Sequence, residues 1–361
     1  MFSASSTPPA AAAAKRPAHG LMRVLTLLCV LAVGAAALSH ATAAARGPAG
    51  APAVLDRATA ALRWWTRGNY EGSWAAEKAR RIELIREEND WKNDLLLHDL
   101  LHLPRAWTEP LPRLARSWAR NYVGVNLVYF AVGALWCYMC YFVWGRELYN
   151  KGERIPAWKD VWEQMKVSII AMPGYALLPA TSEWVVERGW TLVYPRVDNY
   201  GAPAFFAMFF FYMCCVEFWV YWMHRSLHWG FLYTQLHATH HKYNKEGTLS
   251  PFAGLAFHWL DGVIQAFPYC FMLLTVPVHF LSHELILFGT GVWTTNIHDC
   301  LHANVAPVMG AGYHAIHHIT YRHNHGHYFT YMDRIFGTLY TPEEFGYHAD
   351  DHKEAKTVKA E

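Results

Sequence analysis

Charge is scarce in this chain. Asp, Glu, Lys and Arg make up 17% of 361 residues, and no Asp or Glu precedes Asp56. The 31 basic and 29 acidic residues leave a formal net charge of +2, without the basic excess of a nucleic-acid binder. Cysteine provides no framework either: seven residues, an odd number lying almost entirely in apolar runs, do not make a disulfide scaffold. Cys137 and Cys140 match CxxC, but they sit in a long apolar stretch without a second pair. A metal site must therefore use nitrogen, or nitrogen with oxygen. What fills the space left by charge is apolar and aromatic: 53% hydrophobic residues, with 17 Trp, 20 Tyr and 19 Phe. That balance suits a membrane protein better than a soluble one.

Four segments follow from the distribution of these residues. Residues 1–45 form a leader: Lys15, Arg16 and Arg23 precede the apolar run Val24 to Leu38, and Ala41-Thr42-Ala43 resembles a cleavage site. It reads as a signal peptide or signal anchor, with an organelle transit peptide as the second reading. Residues 46–119 are charged and aromatic without a 20-residue apolar stretch. Within them Glu77 to Leu101 reads as an amphipathic helix lying on the membrane surface, and the HxxxH pair His98 and His102 at its end is read with it and not as a metal site. Residues 120–345 carry the membrane candidates, and 346–361 form a polar tail. Tyr122–Val143 and Pro203–Met223 are strong spans. Val167–Val185 is interrupted by Pro173, Gly174 and Pro179, and reads as a kinked span or a re-entrant segment. Gly262–Leu281 and Leu285–Trp293 make an apolar hairpin with His279 and His283 at its tip. The expected fold is an all-α integral membrane protein, a bundle of about 4–6 transmembrane helices.

Ten of the 22 histidines fall into four groups. His224 and His228 read HxxxH; His237, His240 and His241 read HxxHH. His298 and His302 repeat the first pattern, and His314, His317 and His318 repeat the second. By composition alone HxxHH is expected about 0.08 times in a chain of this kind, so two copies are not accidental. On a helix these spacings share a face, so each group is expected to aim its imidazoles at one point. Neutral imidazole is the commonest metal-ligating side chain. Ten nitrogens give roughly five for each of two ions, near full coordination. The third span and the returning hairpin deliver all four groups to one membrane face.

Supporting residues are expected nearby. Glu217 shares a helical stripe with Tyr221, His224 and His228, and an ionisable residue within a span is a functional candidate. It is expected to orient His224 or His228 through the far ring nitrogen. Asp261 and Asp299 are candidates for the same role. Of His258, His323, His325 and His327, one or two are expected to support ligands, with His258 and His323 foremost, and none to be a ligand itself.

At these motifs the chain resembles the membrane-bound fatty-acid hydroxylase / sterol desaturase superfamily. Within it, it looks most like the sterol C-5 desaturases of plant type. The resemblance is carried by Tyr221 to Arg225, Leu236 to His241, Asn244-Lys245, Thr248 to His258 (TLSPFAGLAFH), Trp293 to His302 (WTTNIHDCLH) and Pro307 to Tyr328 (PVMGAGYHAIHHITYRHNHGHY). It departs from the family's usual Pro-Val after His258, having Trp259-Leu260 instead. The resemblance implies two non-haem irons held by the ten histidines. It implies O2-dependent removal of two hydrogens from C5 and C6 of a Δ7-sterol, with electrons from NAD(P)H through cytochrome b5 and its reductase. It also implies a multi-pass protein of the endoplasmic reticulum membrane with a cytosol-facing site, a sterol arriving from the lipid, and a pocket lined by Phe252 and Phe257. Other members of the superfamily share such ligands: C-4 methyl sterol oxidases, fatty-acid or sphingolipid hydroxylases and carotenoid hydroxylases. A metal transporter would place histidines mid-span, and a haem carrier would use single histidines from separate helices; neither pattern is present.

Overall fold

The computed structural model describes residues 53–144, 155–244, 248–298 and 306–346. The leader 1–45, nearly all of the tail 346–361, Asp299 and His302 lie outside the described residues. The fold is all-α; the only strand-like pairings among the described residues are two isolated bridges, Tyr194 with His279 and Val308 with Phe329. The principal helices are α1 (Ala53–Arg67), α2 (Trp74–Asn93), α3 (Arg113–Tyr138), α4 (Trp158–Tyr175), α5 (Leu177–Val186), α6 (Ala202–Leu227), α7 (Trp259–Phe271), α8 (Phe280–Ile297), α9 (Ala311–Thr320) and α10 (Tyr331–Phe336).

Apolar length decides which helices can span a bilayer, where about 20 residues are needed. Helix α3 continues through a wider turn to Val143, giving 31 residues, and α6 has 26; each contains an 18-residue stretch with a mean hydropathy of 1.7. These are the two helices among the described residues that meet the requirement, fewer than the 4–6 expected. The weak run 167–185 is not one continuous helix: α4 ends at Tyr175 and α5 starts at Leu177, a break at Ala176 between Pro173 and Pro179 that fits the expected kink. The hairpin arms are also short, because the chain leaves α7 and its last turn at Leu274 and resumes helix at Phe280.

The bundle centre is aromatic and aliphatic. Tyr212, Val216 and Val220 of α6 meet Tyr269, Met272 and Leu273 around α7, and Phe280 and Leu287 of α8. A second cluster joins Tyr129 of α3, Met165 and Met172 of α4, and Phe252. The short 3-10 turn Pro251–Leu255 wedges between α3 and α8 because two glycines admit it. A Cβ on Gly133 would lie 2.5 Å from the Phe252 ring, and one on Gly254 would lie 2.9 Å from the Thr294 backbone. The far tip of the hairpin is tied to the segment before α6: Tyr194 donates its N–H to the Val278 carbonyl at 3.0 Å and accepts from the Phe280 N–H at 2.9 Å.

Helix α2 corrects the expectation of an amphipathic surface helix. Its buried stripe is Glu77, Arg81, Ile85, Asn89 and Asn93, mostly polar, while Trp91 is exposed. The inward polar groups are matched by partners on α3, on α5 and just after it. Arg120 pairs with Glu183, and Arg120 Nη1 reaches the Asn89 carbonyl and Asn93 Oδ1 at 3.2 Å each. Lys92 pairs with Glu284 of α8. Burying these groups is tolerable because each charge faces an opposite one.

Candidate metal centre

Four elements end at one place. His224 lies in the last turn of α6 and His228 caps its C-terminus. The turns Tyr233–His237 and Ala238–His241 bring His237, His240 and His241. His298 caps α8. Helix α9 is buried from Ala311 to His318 and carries His314, His317 and His318.

Nine imidazoles divide into two groups: His224, His228, His237, His241 and His317, and then His240, His298, His314 and His318. Within each, one nitrogen per residue lies within 4.8 Å of all the others. This corrects the expectation that each HxxHH triplet aims at one point. Successive residues on a helix are turned by about 100°, so i and i+4 share a face while i+3 and i+4 diverge. The first triplet sends its i, i+4 pair (His237, His241) to one centre and His240 to the other. The second triplet does the reverse, sending His314 and His318 to the second centre and His317 to the first. Each triplet thereby ties the two centres together.

The nitrogens facing inward are mostly Nε2. His228 and His317 approach at 3.2 Å, His237 and His241 at 3.1 Å, His240 and His298 at 3.2 Å, His298 and His314 at 3.0 Å, and His314 and His318 at 3.1 Å. For four rings the outer nitrogen has an oxygen acceptor. His224 Nδ1 faces the His325 carbonyl at 3.0 Å and His237 Nδ1 faces Asp261 Oδ2 at 2.7 Å. His298 Nδ1 faces the Thr294 carbonyl at 2.6 Å, and His317 Nδ1 faces the His323 carbonyl at 2.7 Å. Such an acceptor holds the ring proton on Nδ1 and leaves Nε2 bare. Bare nitrogens then point at one another in a buried space, and His224 Nε2 has no hydrogen-bond partner. Bound cations relieve that arrangement; the donor set, all neutral nitrogen, fits a pair of divalent transition-metal ions. Burial keeps the rings neutral. The imidazoles of His240, His241, His314, His317 and His318 are held well below the usual histidine range by burial and then by neighbouring histidines, and His228 is pushed down to about 2 for the same reasons.

The remaining sequence candidates take varied places. Asp261 bridges His237 and Gln265. Glu217 does not reach a ring nitrogen of His224 or His228. Its carboxylate accepts the backbone N–H groups of His327, Tyr328 and Phe329 at 2.9, 3.0 and 3.3 Å, because that loop crosses α6 before the histidines do. It thereby anchors the loop whose His325 carbonyl holds His224. Asp333, raised to about 6 mainly by burial, grips the same loop through the N–H groups of His325 and Gly326. His258 is a helix cap, its Nδ1 accepting from the Leu260 N–H at 3.2 Å, and it orients no ligand. His323 acts through its carbonyl, not its ring. His279 and His283 bond elsewhere, to Pro195 and Ser282, and to Tyr212 and Ser182.

A cavity of about 140 Å³ opens onto His224, His240, His298 and His314 and is otherwise lined largely by apolar side chains such as Val125, Val263, Leu287 and Phe288. Phe257 lines it. Phe252 does not; it is buried beneath, packed on Tyr129 at 5.2 Å between ring centroids. The carbonyls of Thr294, His323 and His325 were not foreseeable, since every residue type carries one. Gln265, beside a cavity and one helical turn after Asp261, had an i, i+4 signal in the sequence.

Comparison with known proteins agrees with this geometry. A family model described as fatty acid hydroxylase matches residues 209–338. A protein named putative Delta(7)-sterol-C5(6)-desaturase 2 from Arabidopsis thaliana is 47% identical over 269 residues, covering 74% of this chain and 95% of that protein. The Delta(7)-sterol-C5(6)-desaturase of Nicotiana tabacum is 49% identical over 259 residues, covering 72% and 94%. A Delta(7)-sterol 5(6)-desaturase of Schizosaccharomyces pombe is 33% identical over 185 residues, covering 50% and 54%. No solved structure matches.

Proposed function

Because this chain belongs to the fatty acid hydroxylase / sterol desaturase superfamily, close to the plant Δ7-sterol-C5(6)-desaturases, we propose that it introduces the C5(6) double bond into Δ7-sterols. The observation that carries the reading is the pair of histidine groups at the end of an apolar cavity. Residues 120–345 form the catalytic domain. His224, His228, His237, His241 and His317 hold one iron; His240, His298, His314 and His318 hold the other, with His302 completing the set. The two irons supply O2 activation and the oxidising power to break an unactivated C–H bond. The overall balance is simple. The sterol gives up two hydrogens and the donor gives two electrons with two protons, so that O2 leaves as two waters. The electrons come from NAD(P)H through a cytochrome b5-type carrier.

The protein's own part is positional. Asp261 and the three carbonyls fix the ring tautomers, so that bare nitrogens face inward before the metal arrives. The apolar wall favours an apolar substrate over bulk water, which confines oxidation to what is bound there. Helices α3 and α6 anchor the chain in the bilayer, from which the sterol enters. The chain is a multi-pass protein of the endoplasmic reticulum membrane, with α4–α5 and the α7–α8 hairpin completing the bundle and the histidine end facing the cytosol.

Expression in cells that lack C-5 desaturation, followed by sterol analysis, tests the reading. A Δ5,7-diene, visible by its near-ultraviolet absorbance, is expected. Iron-loaded protein that yields no diene rejects it, and a hydroxylated sterol in place of the diene reassigns the chain to a hydroxylase of the same superfamily.

A further inference from the structure

We propose that Gln265 receives the 3β-hydroxyl of the sterol and so sets which carbon–carbon bond is presented to the histidine centre. The inference rests on the sterol reading above. In a sterol the hydroxyl-bearing carbon and the C5–C6 bond lie in adjoining rings, and the oxygen is roughly 5 Å from C6 by ordinary bond lengths. Whatever holds the hydroxyl must therefore stand beside the histidines, not at the remote end of the cavity. In an apolar cavity an unpaired hydroxyl is costly, so a partner is required.

The polar side chains on the cavity wall are few, and most are committed. Tyr175 donates to the Leu255 and Phe257 carbonyls at 3.1 Å each, and Thr294 donates to the Gly291 carbonyl at 3.0 Å. Thr290 is held against His327 Nε2 at 2.6 Å, and Tyr269 donates to Tyr328 at 2.9 Å. Gln265 differs. Its Nε2 donates to Asp261 Oδ1 at 2.7 Å. A carboxylate only accepts, so the amide cannot be reversed. Gln265 lines the cavity, and its Oε1 is left as an acceptor with no hydrogen-bond partner among the described residues.

Asp261 adds the second half of the argument. It is fully buried, and its other oxygen takes the Nδ1 proton of His237 at 2.7 Å. A hydroxyl on Gln265 Oε1 would extend a continuous chain: sterol O–H to Gln265, Gln265 to Asp261, Asp261 to His237. The hydroxyl is thereby indexed to a residue of the first histidine group through two side chains that cannot be rearranged independently. Gln265 is a positioning residue; it touches the substrate away from the bond that reacts.

The test gives membranes containing the full chain an equal mixture of a Δ7-sterol and its 3-deoxy counterpart and reads the ratio of the two diene products. Both products come from one sample, so the amount of folded, iron-loaded protein cancels. The unaltered protein should favour the hydroxylated sterol by about 10-fold to 100-fold, the weight of one buried hydrogen bond. Gln265→Met should bring the ratio close to one by slowing the hydroxylated sterol alone. Gln265→Glu, with its carboxyl proton donated to Asp261 in place of the amide N–H, keeps a carbonyl oxygen as acceptor; it should retain most of the preference at a pH where that proton is held, and serves where the Met variant does not accumulate. A Met variant with an unchanged ratio, or with both products reduced equally, overturns the proposal. A Glu variant that loses the preference also overturns it. Iron-loaded unaltered protein that makes neither diene removes the proposed function itself, a distinct result.

Discussion

At the N-terminal end of α8, Glu284 faces Lys92; at its C-terminal end, about 21 Å away by helical rise, His298 faces His240, His314 and His318. Both ends bury polar groups in a largely apolar bundle. At the first end opposite charges meet: Lys92 with Glu284, Arg120 with Glu183, and Arg113 with Glu187 and Asp90. There each of these charges meets its opposite within the chain. At the second end like meets like, neutral nitrogen against neutral nitrogen, and among the described residues no opposite charge faces those nitrogens. One end is finished by folding and the other by binding. Buried polarity marks a functional site when its partner has to come from outside the chain.

Substitutions at the two ends should therefore separate chemistry from stability. The largest effect is expected from His317→Ala or His240→Ala. Each should bring diene formation below detection and lower the iron bound per chain, measured by elemental analysis, while helicity by circular dichroism is retained. Full activity in either variant would undo the ligand assignment. At the other end, Glu183→Ala strands the buried Arg120 guanidinium and should cost about 3–5 kcal/mol of stability. The readout is a lower melting temperature in detergent, with turnover per iron-loaded molecule unchanged; a loss of turnover at unchanged Tm would erase the contrast between the ends. Asp261→Asn lies on the boundary, touching a ligand without being one. It should weaken metal affinity by about 10-fold to 100-fold, seen as faster iron loss to a chelator. Glu217→Gln keeps one acceptor for the loop 327–329 and should have the smallest effect, about 0.5–1.5 kcal/mol in melting experiments, with metal retained.

Acidification sharpens the same contrast. Burial lowers the folded-state pKa of His240, His241, His314, His317 and His318 below the value near 6.5 of an unfolded histidine. The unfolded chain then binds more protons below that value, so stability from these groups is full above about pH 6.5 and declines as pH falls. Iron release on going from about pH 7 toward 5 is the expected measurement, with the rings competing for protons and metal alike.

The histidine motifs made the site legible because the i, i+3 and i+4 spacing of imidazole is rare and has one helical consequence. The crossing of the triplets was present in the same spacing, but it needed the 100° step between His240 and His241 to be followed through. Glu217 misled for a tertiary reason. Its stripe on α6 does lead to His224, but the loop 327–329 intervenes and takes the carboxylate first. The number of spans misled because apolar composition continues through breaks that Pro173 and the turn at Thr275 impose on the backbone. Helix α2 was misread because its inner face is polar, and partners far along the chain, Glu187 for Asn89 and Glu284 for Lys92, make such a face buriable.

The distribution of ligands along the chain has a consequence for synthesis. Both centres draw on α9: the first needs His317, and the second needs His314 and His318. A ribosome that has passed His298 has laid down six of these nine imidazoles, yet neither centre is complete. Both centres are therefore completed only once α9 has been made, and a chain interrupted before it, however well its helices have inserted, cannot assemble the paired site.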